Sequence, residues 1–440
     1  MLHAPSSHWT PLTSAALLAL ALSAPAQGNG GGAETTDGDT EQQVVPVKTP
    51  PASRSEEIDL RVFWKNGLRF EDKDKSFKLK IGGRLQNDYW FVTNESPGLE
   101  NELEGRLLRR DDGTEFRRAR INMSGTISDM VIFKWSYDFA GALASFKDAY
   151  IGLKDLGPLG TVTVGQQKEP IGLEFAYSSN AATFMERGLP HSLNPERNTG
   201  IRFQRTAADE AVYLTGGLYR LTNSQGNSGP LNDGWSAAAR ASWAPIYEDK
   251  GRKLLHLGIS GSRREKLSIY AKGSRPSING MQPYVLSTVT NVDNVTSAGL
   301  EAAANLGPLS FQAEYNLNVI ERNSGNRADW SGWYAYVSWF LTGEHRPYRR
   351  DKGAFAAVTP NTNLTKDGGG AWEIAARFSS LDIADENNST TVGGGRLQDI
   401  TAGLNWYMNY NTRLMFNYVH ADLQGIGASD AIAMRLQVFF

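Results

Sequence analysis

The stretch Phe311-Gln312-Ala313-Glu314-Tyr315-Asn316-Leu317-Asn318-Val319 alternates apolar and polar side chains at every position. A period of two is that of a β-strand, in which successive side chains point to opposite faces of the sheet. Similar runs in this chain extend over about ten positions, whereas strands of soluble sheets usually have five or six residues. A tilted strand needs about ten residues to cross a bilayer. The stretch therefore predicts a membrane-spanning strand.

The same alternation recurs from Phe77 to the end of the chain. We count sixteen such segments, which begin near Phe77, Glu115, Val131, Ser145, Leu159, Gly200, Ala211, Trp235, Lys253, Thr296, Leu309, Ser331, Ala371, Leu397, Asn411 and Ala431. An even number of antiparallel strands is typical of bacterial outer-membrane barrels, and a barrel of this size encloses an aqueous lumen. The sequence thus predicts an all-β protein, a sixteen-stranded antiparallel transmembrane β-barrel.

The connections between the predicted strands support this architecture, because outer-membrane barrels have short periplasmic turns and long outer loops. Connections after the second, fourth, tenth and fourteenth segments are short. Those after the first, fifth, ninth and thirteenth are long and polar, notably residues 169–199 and 264–295. Residues 342–370 form one exception, since they are long where a short turn is expected.

The last segment runs from Ile432 to Phe440 with the same alternation. An edge strand this apolar would aggregate if it stayed unpaired, so we expect it to close onto the first strand. A terminal Phe440 after such a strand resembles the signal that the outer-membrane assembly machinery reads. Aromatic residues near strand ends suit the girdles that lie at both membrane interfaces.

Residues 1–26 contain an Ala/Leu block followed by Ala24-Pro25-Ala26, which predicts a cleaved signal peptide. Residues 27–57 are rich in Gly, Pro and acidic residues, and we interpret them as a flexible leader with too little to bury. The barrel would then comprise residues 58–440. The chain has no Cys, so no disulfide or zinc-thiolate site can form.

If apolar side chains of a strand face lipid, the alternate side chains face the lumen and set its selectivity. Around residues 116–123 this parity points Arg118 and Arg120 inward. The same reasoning points further cations inward, namely Lys80, Arg84, Lys134, Arg202 and Arg240. A row of guanidinium groups would attract anions and repel cations. The alternative is an ordinary polar lining, in which these cations pair with acids such as Asp88, Asp138 or Glu314.

The connection at residues 169–199 carries apolar side chains, including Phe175, Phe184 and Leu189, that are unusual in a segment facing open water. We expect this connection to fold inward and narrow the pore. A mobile outer loop is the alternative.

Several motifs in combination resemble one known family. They are Phe116-Arg117-Arg118-Ala119-Arg120, Phe146-Lys147-Asp148-Ala149-Tyr150, the run from Gly165 to Glu174, Met185-Glu186-Arg187 and Trp339-Phe340-Leu341-Thr342-Gly343-Glu344. Over roughly residues 63–440 the chain is similar to the phosphate-selective porin O and P family. The resemblance implies a porin-type barrel with an inward third loop, a homotrimer, and a ladder of arginines that guides phosphate or polyphosphate.

By this resemblance Arg84, Arg118, Arg120, Arg187, Arg197 and Arg202 are candidates for the arginine ladder or the constriction. Together with Lys134 and Lys168 they make up the predicted anion path. The exceptional connection matches an unusual periplasmic turn of the family, whose basic cluster would comprise Arg346, Arg349, Arg350 and Lys352. Glu174, Glu186 and Glu196 lie in the predicted inward loop, so the sequence leaves open a general porin without phosphate preference.

Other classes of protein are less consistent with the sequence. No internal apolar run is long enough for a membrane-spanning helix, and no common hydrolase, phosphate-loop or metalloprotease motif occurs. A secreted carbohydrate-binding β-sandwich would explain the alternation but not the strand length or the terminal Phe. We therefore expect a passive channel in the outer membrane of a Gram-negative-type bacterium, with inorganic phosphate or other small anions, lipid and the assembly machinery as partners. We expect no cofactor, metal, enzymatic activity or nucleic-acid partner.

Overall fold

The computed structural model describes residues 59–104, 112–141, 144–229, 234–384, 389–392 and 395–440. The predicted signal peptide and leader, residues 1–57, lie outside these ranges. Among the described residues, no helix is both long and apolar enough to cross a membrane.

Strands dominate the described part of the chain. Their bounds are β1 Leu60–Trp64, β2 Leu68–Asp72, β3 Lys78–Glu95, β4 Gly113–Ile127, β5 Val131–Asp138, β6 Ser145–Leu153, β7 Thr161–Lys168, β8 Arg197–Ala207, β9 Val212–Arg220, β10 Trp235–Glu248, β11 Lys253–Glu265, β12 Ile269–Ser274, β13 Val285–Thr290, β14 Val292–Leu306, β15 Leu309–Arg322, β16 Ala328–Phe340, β17 Tyr348–Arg349, β18 Ala354–Phe355, β19 Ala371–Asp382, β20 Ser389–Val392, β21 Arg396–Tyr407, β22 Thr412–Leu423 and β23 Gly427–Phe439. Two short helices are α1 Pro97–Glu104 and α2 Leu173–Ala176.

Sixteen of these strands form a closed antiparallel barrel in the order β3 to β11, β14 to β16, β19 and β21 to β23. The barrel closes where β23 pairs with β3, from Phe439 opposite Arg84 to Ser429 opposite Glu95. The sixteen-stranded barrel and the pairing of the last segment with the first are therefore confirmed. Every barrel strand begins within four residues of its predicted start.

Side chains alternate between the two faces of the wall as the sequence predicts. On β21, Ile400 is half exposed on the outer face, whereas its neighbours Asp399 and Thr401 are buried on the inner face. On the outer face of other strands, Ile151 and Leu218 are more than 60% exposed. Apolar side chains thus face hydrocarbon, and polar side chains face the lumen.

The connection between β7 and β8, residues 169–196, is the third outer loop and folds into the lumen as predicted. Its residues reach the opposite wall, where the backbone N–H of Leu189 donates to Ser379 Oγ at 2.8 Å. The Phe184 ring packs edge-on against Tyr336 of β16, with ring centroids 5.4 Å apart. Because these contacts cross the barrel, the third loop divides the lumen.

Two further connections also fold inward, and the sequence did not predict the direction of either. The long turn at residues 341–370, hereafter the plug, carries β17 and β18 and packs Tyr348 against His256 of β11, with Tyr348 Oη 2.7 Å from His256 Nδ1. The fifth outer loop, residues 266–291, places Ser277 against Asp399 of β21. The plug is exceptionally long for a turn on this side because it fills space inside the barrel.

The opposite faces of β4 give a direct test of barrel orientation. We expect Ile121→Arg, which places a cation on the outer face, to destabilise the folded barrel by about 2–4 kcal/mol if the residue lies near the bilayer midplane. Ser124 on the same strand lines the lumen, so Ser124→Arg is the matched control. Urea titration of folding into phospholipid vesicles measures the stability of both variants. Equal stability of the two variants would contradict the assigned faces.

Candidate functional site

Seven of the eight cations predicted for the anion path lie on strands β3 to β8, and the eighth, Arg187, lies on the third loop. They line an inner chamber of about 530 Å³. All eight side chains predicted for the anion path contribute to this lining, which also includes Lys80, Arg240, Arg349 and Lys352. The strand period explains this convergence, because alternate residues of neighbouring strands face the same lumen.

A second cavity of about 350 Å³, the vestibule, lies between the third loop, the fifth loop and β4. The vestibule and the inner chamber share five lining residues, namely Arg118, Arg120, Phe175, Arg187 and Arg197. These five residues mark the place where the cavities meet, and we call them the constriction. Four of the five are arginines, so the place where the two cavities meet is rich in guanidinium groups.

Five predicted cations make no ion pair with the described residues, namely Arg84, Arg118, Lys168, Arg187 and Arg202. Arg84 donates to Ser179 Oγ at 2.6 Å, and Arg118 donates to Gln86 Oε1 at 2.7 Å. Lys168 donates to the backbone oxygen of Tyr177 at 3.1 Å. Hydroxyl, amide and carbonyl acceptors orient these cations without cancelling their charge.

The other three predicted cations are paired with carboxylates. Arg120 Nε lies 2.6 Å from Asp138 Oδ2. Asp148 bridges the remaining two, with Lys134 Nζ at 2.5 Å and Arg197 Nε at 2.8 Å. The polar-lining interpretation therefore applies to these three residues. Two carboxylates serve three cations here, so the wall keeps an excess of positive charge.

Arg117 is a lumen residue that the parity argument missed. The ladder between β3 and β4 shifts by one residue, because Gln86 opposes Arg118 and Asn87 opposes Phe116. Such a bulge lets two consecutive side chains reach the same side of the sheet. The outward residues Phe116 and Ala119 are three positions apart instead of two. That spacing is the signal that could have revealed the bulge.

Arg117 and Arg435 fasten the tip of the third loop through Glu186. Arg117 binds both carboxylate oxygens of Glu186, with Nε to Oε1 at 2.8 Å. Arg435 of β23 lies 2.7 Å from Glu186 Oε1 and also binds both oxygens of Asp88 on β3. We call Asp88, Arg117, Glu186 and Arg435 the clamp. Burial acts to raise the pKa of Glu186, but the two guanidinium groups outweigh burial and hold it well below its usual value.

Wall side chains also bind the backbone of the third loop. Arg413 donates to the carbonyl oxygen of Ala182 at 2.7 Å, and Asn405 donates to that of Thr183 at 2.8 Å. Arg377 donates to the carbonyl oxygen of Glu186 at 2.9 Å. At the start of the loop, Glu314 accepts the backbone N–H groups of Leu173 and Glu174 at the first turn of α2. The loop is therefore held along its length.

The three loop carboxylates lie in different surroundings. Glu174 is buried and accepts the backbone N–H of Gly188 at 2.9 Å, and burial raises its pKa above the usual value. Glu186 belongs to the clamp. Glu196 lines the vestibule together with Arg197. Since Glu174 and Glu186 are occupied in holding the loop, they do not pair with the unpaired cations Arg118 and Lys168.

The predicted periplasmic-side cluster is dispersed over the plug. Arg346 is buried, with its guanidinium carbon 3.7 Å from the centre of the Phe355 ring. Arg349 forms an ion pair with Asp351, and Arg350 lies over the ring of Tyr247. Lys352 joins Arg349 in the lining of the inner chamber. The plug thus presents two cations of the four to the chamber.

Phe440 lies at the seam of the barrel, where its backbone exchanges hydrogen bonds with Gly83 of β3. Its ring stacks on Trp64 of β1, with ring centroids 6.2 Å apart. Its role as an assembly signal stays a prediction. The described residues bring together no group of three His, Asp or Glu side chains that could hold a metal ion.

A family model described as phosphate-selective porin O and P matches residues 80–440 of the chain. The chain belongs to this family. It is therefore an outer-membrane channel of a Gram-negative bacterium, and the barrel geometry described above is that of a porin.

Two relatives align along most of this porin. It is 27% identical to Porin O of Pseudomonas aeruginosa over 476 aligned residues, which cover 97% of this chain and 98% of Porin O. It is 29% identical to an uncharacterized protein of Caulobacter vibrioides over 394 residues, covering 87% of this chain and 76% of that protein. Among solved structures, OmpT of Vibrio cholerae in its trimer form superposes with a TM-score of 0.51 at 10% identity, covering 83% and 99% of the two chains. The OmpT likeness shows the fold alone.

The clamp gives a test of loop anchoring in this porin. We expect Glu186→Gln to loosen the third loop and to give a larger, noisier single-channel conductance, because an amide cannot pair with two guanidinium groups. Because its pKa is lowered, Glu186 is charged at any pH above its ordinary pKa of 4.5. Its contribution to holding the loop is lost only as the pH falls through the lowered pKa. The anchoring of the third loop by Glu186 should therefore stay constant from pH 8 to about 5.

Glu265→Gln is the control for the clamp experiment, because Glu265 forms an exposed ion pair with Arg263 outside both cavities. Recordings in planar bilayers compare the variants. If Glu186→Gln and Glu265→Gln both conduct like the wild type, Glu186 does not hold the loop.

Proposed function

We propose that this porin passes small anions by passive diffusion along its lumen Arg and Lys side chains, with phosphate or polyphosphate as the preferred solutes. The observation that supports this proposal is the set of five cations that have no carboxylate partner in the described part of the chain and that line the inner chamber. No covalent step is involved. The channel lowers the free-energy barrier for anions to cross the membrane, because contacts with fixed cations replace part of the anion's water shell.

The geometry of the wall favours oxyanions. Arg118 and Arg202 each present a guanidinium group, whose forked donors match two oxygens of a phosphate. A narrow lumen with low-dielectric walls strengthens the attraction of a dianion relative to a monoanion. These features support a preference for phosphate over chloride.

A general porin without phosphate preference is the second candidate. The pairing of Lys134 and Arg197 with Asp148 favours this candidate, because it removes two cations from direct contact with a solute. The family description supports the phosphate-preferring alternative. Phosphate inhibition of the chloride current distinguishes the two.

Arg118 gives the central test, since it lies in the constriction and has no acidic partner among the described residues. A unit charge about 4 Å from an anion contributes about 1 kcal/mol even at the dielectric of water, a factor of about five in occupancy. We therefore expect Arg118→Gln to lower the ratio of anion to cation permeability about fivefold. Reversal potentials in a KCl gradient measure this ratio.

Arg263→Gln is the control for this measurement, because Arg263 is exposed and paired with Glu265 away from the cavities. It should retain the wild-type ratio. The preference for phosphate is measured separately, by adding phosphate at constant chloride concentration. A cation-selective wild type would overturn the anion path, whereas anion selectivity without inhibition by phosphate would favour the general porin.

We further propose that the porin assembles as a homotrimer in the outer membrane. Lipid would surround the barrels, and the outer-membrane assembly machinery would insert them. The family resemblance and the trimer form of the similar OmpT structure support this assembly. Native mass spectrometry of detergent-purified protein should give three times the protomer mass. A monomeric mass in several mild detergents would argue against the trimer.

A further inference from the structure

Phe175 is the uncharged member of the constriction. It lies on α2, at the start of the third loop, and its side chain contributes to the lining of both the inner chamber and the vestibule. The other four constriction residues are arginines. An apolar ring among these arginines, where the two cavities meet, therefore requires an explanation.

Two cations that have no carboxylate partner among the described residues lie close to the ring of Phe175. Lys168 Nζ is 4.7 Å from the ring centroid, and the guanidinium carbon of Arg187 is 5.6 Å from it. Both cations donate to backbone carbonyls beside the ring, and Arg187 Nη1 also lies 3.5 Å from His191 Nε2. Lys168 donates to Phe175 and Tyr177, and Arg187 Nε donates to Glu174 at 2.8 Å.

An aromatic face attracts a cation through its quadrupole, yet it carries no net charge. A carboxylate would hold the same two cations more strongly but would cancel part of their positive charge, as Asp148 does for Lys134 and Arg197. The ring and the carbonyls of α2 together hold two positive charges in place and leave the charges available to a solute.

We propose that Phe175 is a positioning residue for anion selectivity, which holds Lys168 and Arg187 as two uncompensated charges beside the constriction. Two fixed charges act on a dianion with twice the electrostatic energy that they exert on a monoanion at the same distance. Phe175 therefore contributes more to the passage of hydrogen phosphate than to that of chloride. This inference rests on the proposed anion path.

The test compares three variants in planar bilayers with chloride as the charge carrier and inorganic phosphate as the inhibitor. Phe175→Leu keeps an apolar side chain but removes the aromatic face, and Phe175→Tyr keeps that face. Phe184→Leu is the matched control for loosening of the third loop. The ring of Phe184 also lies over a cation, at 4.5 Å from Arg377, but it lines neither cavity.

We expect Phe175→Leu to raise the phosphate concentration for half-inhibition about fivefold, which corresponds to about 1 kcal/mol. For Phe175→Tyr this concentration should stay within about twofold of the wild-type value, and for Phe184→Leu it should equal the wild-type value. The chloride conductance should change less than the phosphate inhibition in Phe175→Leu, because chloride carries a single charge.

Three outcomes would overturn the inference. In the first, phosphate inhibits the chloride current of Phe175→Leu as strongly as that of the wild type. In the second, Phe175→Tyr loses phosphate inhibition as strongly as Phe175→Leu, and in the third, Phe184→Leu loses phosphate inhibition as Phe175→Leu does. The last result would show that general packing of the loop is responsible. The reversal potential of the wild type is recorded in the same experiments. A cation-selective wild type overturns the proposed function together with this inference, whereas an anion-selective wild type with an insensitive Phe175→Leu overturns the inference alone.

Discussion

The hydrogen bonds between β23 and β3 are the interaction on which the rest of the molecule depends. In hydrocarbon each unsatisfied backbone group costs several kcal/mol, so a sheet can cross a membrane only when it has no free edge. The pairing that starts at Phe439 and Arg84 removes that edge. Once the sheet is closed, the strand period sorts side chains into a lipid face and a lumen face. The size of the lumen then follows from the number of strands.

A lumen enclosed by sixteen strands is wide, and the third loop narrows it. The loop can do so only because charged groups replace the water that its buried polar atoms would otherwise bind. Glu186 is the centre of this arrangement, since it joins Arg117 of β4 to Arg435 of β23. The clamp therefore connects strands on either side of the barrel seam through the loop. Closure of the barrel and narrowing of the pore are linked at this point.

Arginine serves two different purposes inside this barrel. Arg413 and Arg377 donate to backbone carbonyls of the third loop and hold it against the wall. Arg118 and Arg202 line the chamber and make no ion pair with the described residues. Both groups occupy inward positions on barrel strands, so parity assigns them to the same face. Whether an arginine holds the third loop or lines the chamber depends on which groups its side chain contacts in the folded protein.

The sequence alone determined the strands, their number and the direction of most side chains, because a period of two depends only on the order of residues. It therefore placed Arg84, Arg120 and Lys134 in the lumen correctly. The bulge that turns Arg117 inward, the fifth loop that packs Ser277 against Asp399 and the burial of Arg346 in the plug were decided by the tertiary structure. These features depend on contacts between segments far apart in the chain, and no local pattern specifies which carboxylate a cation meets across the lumen.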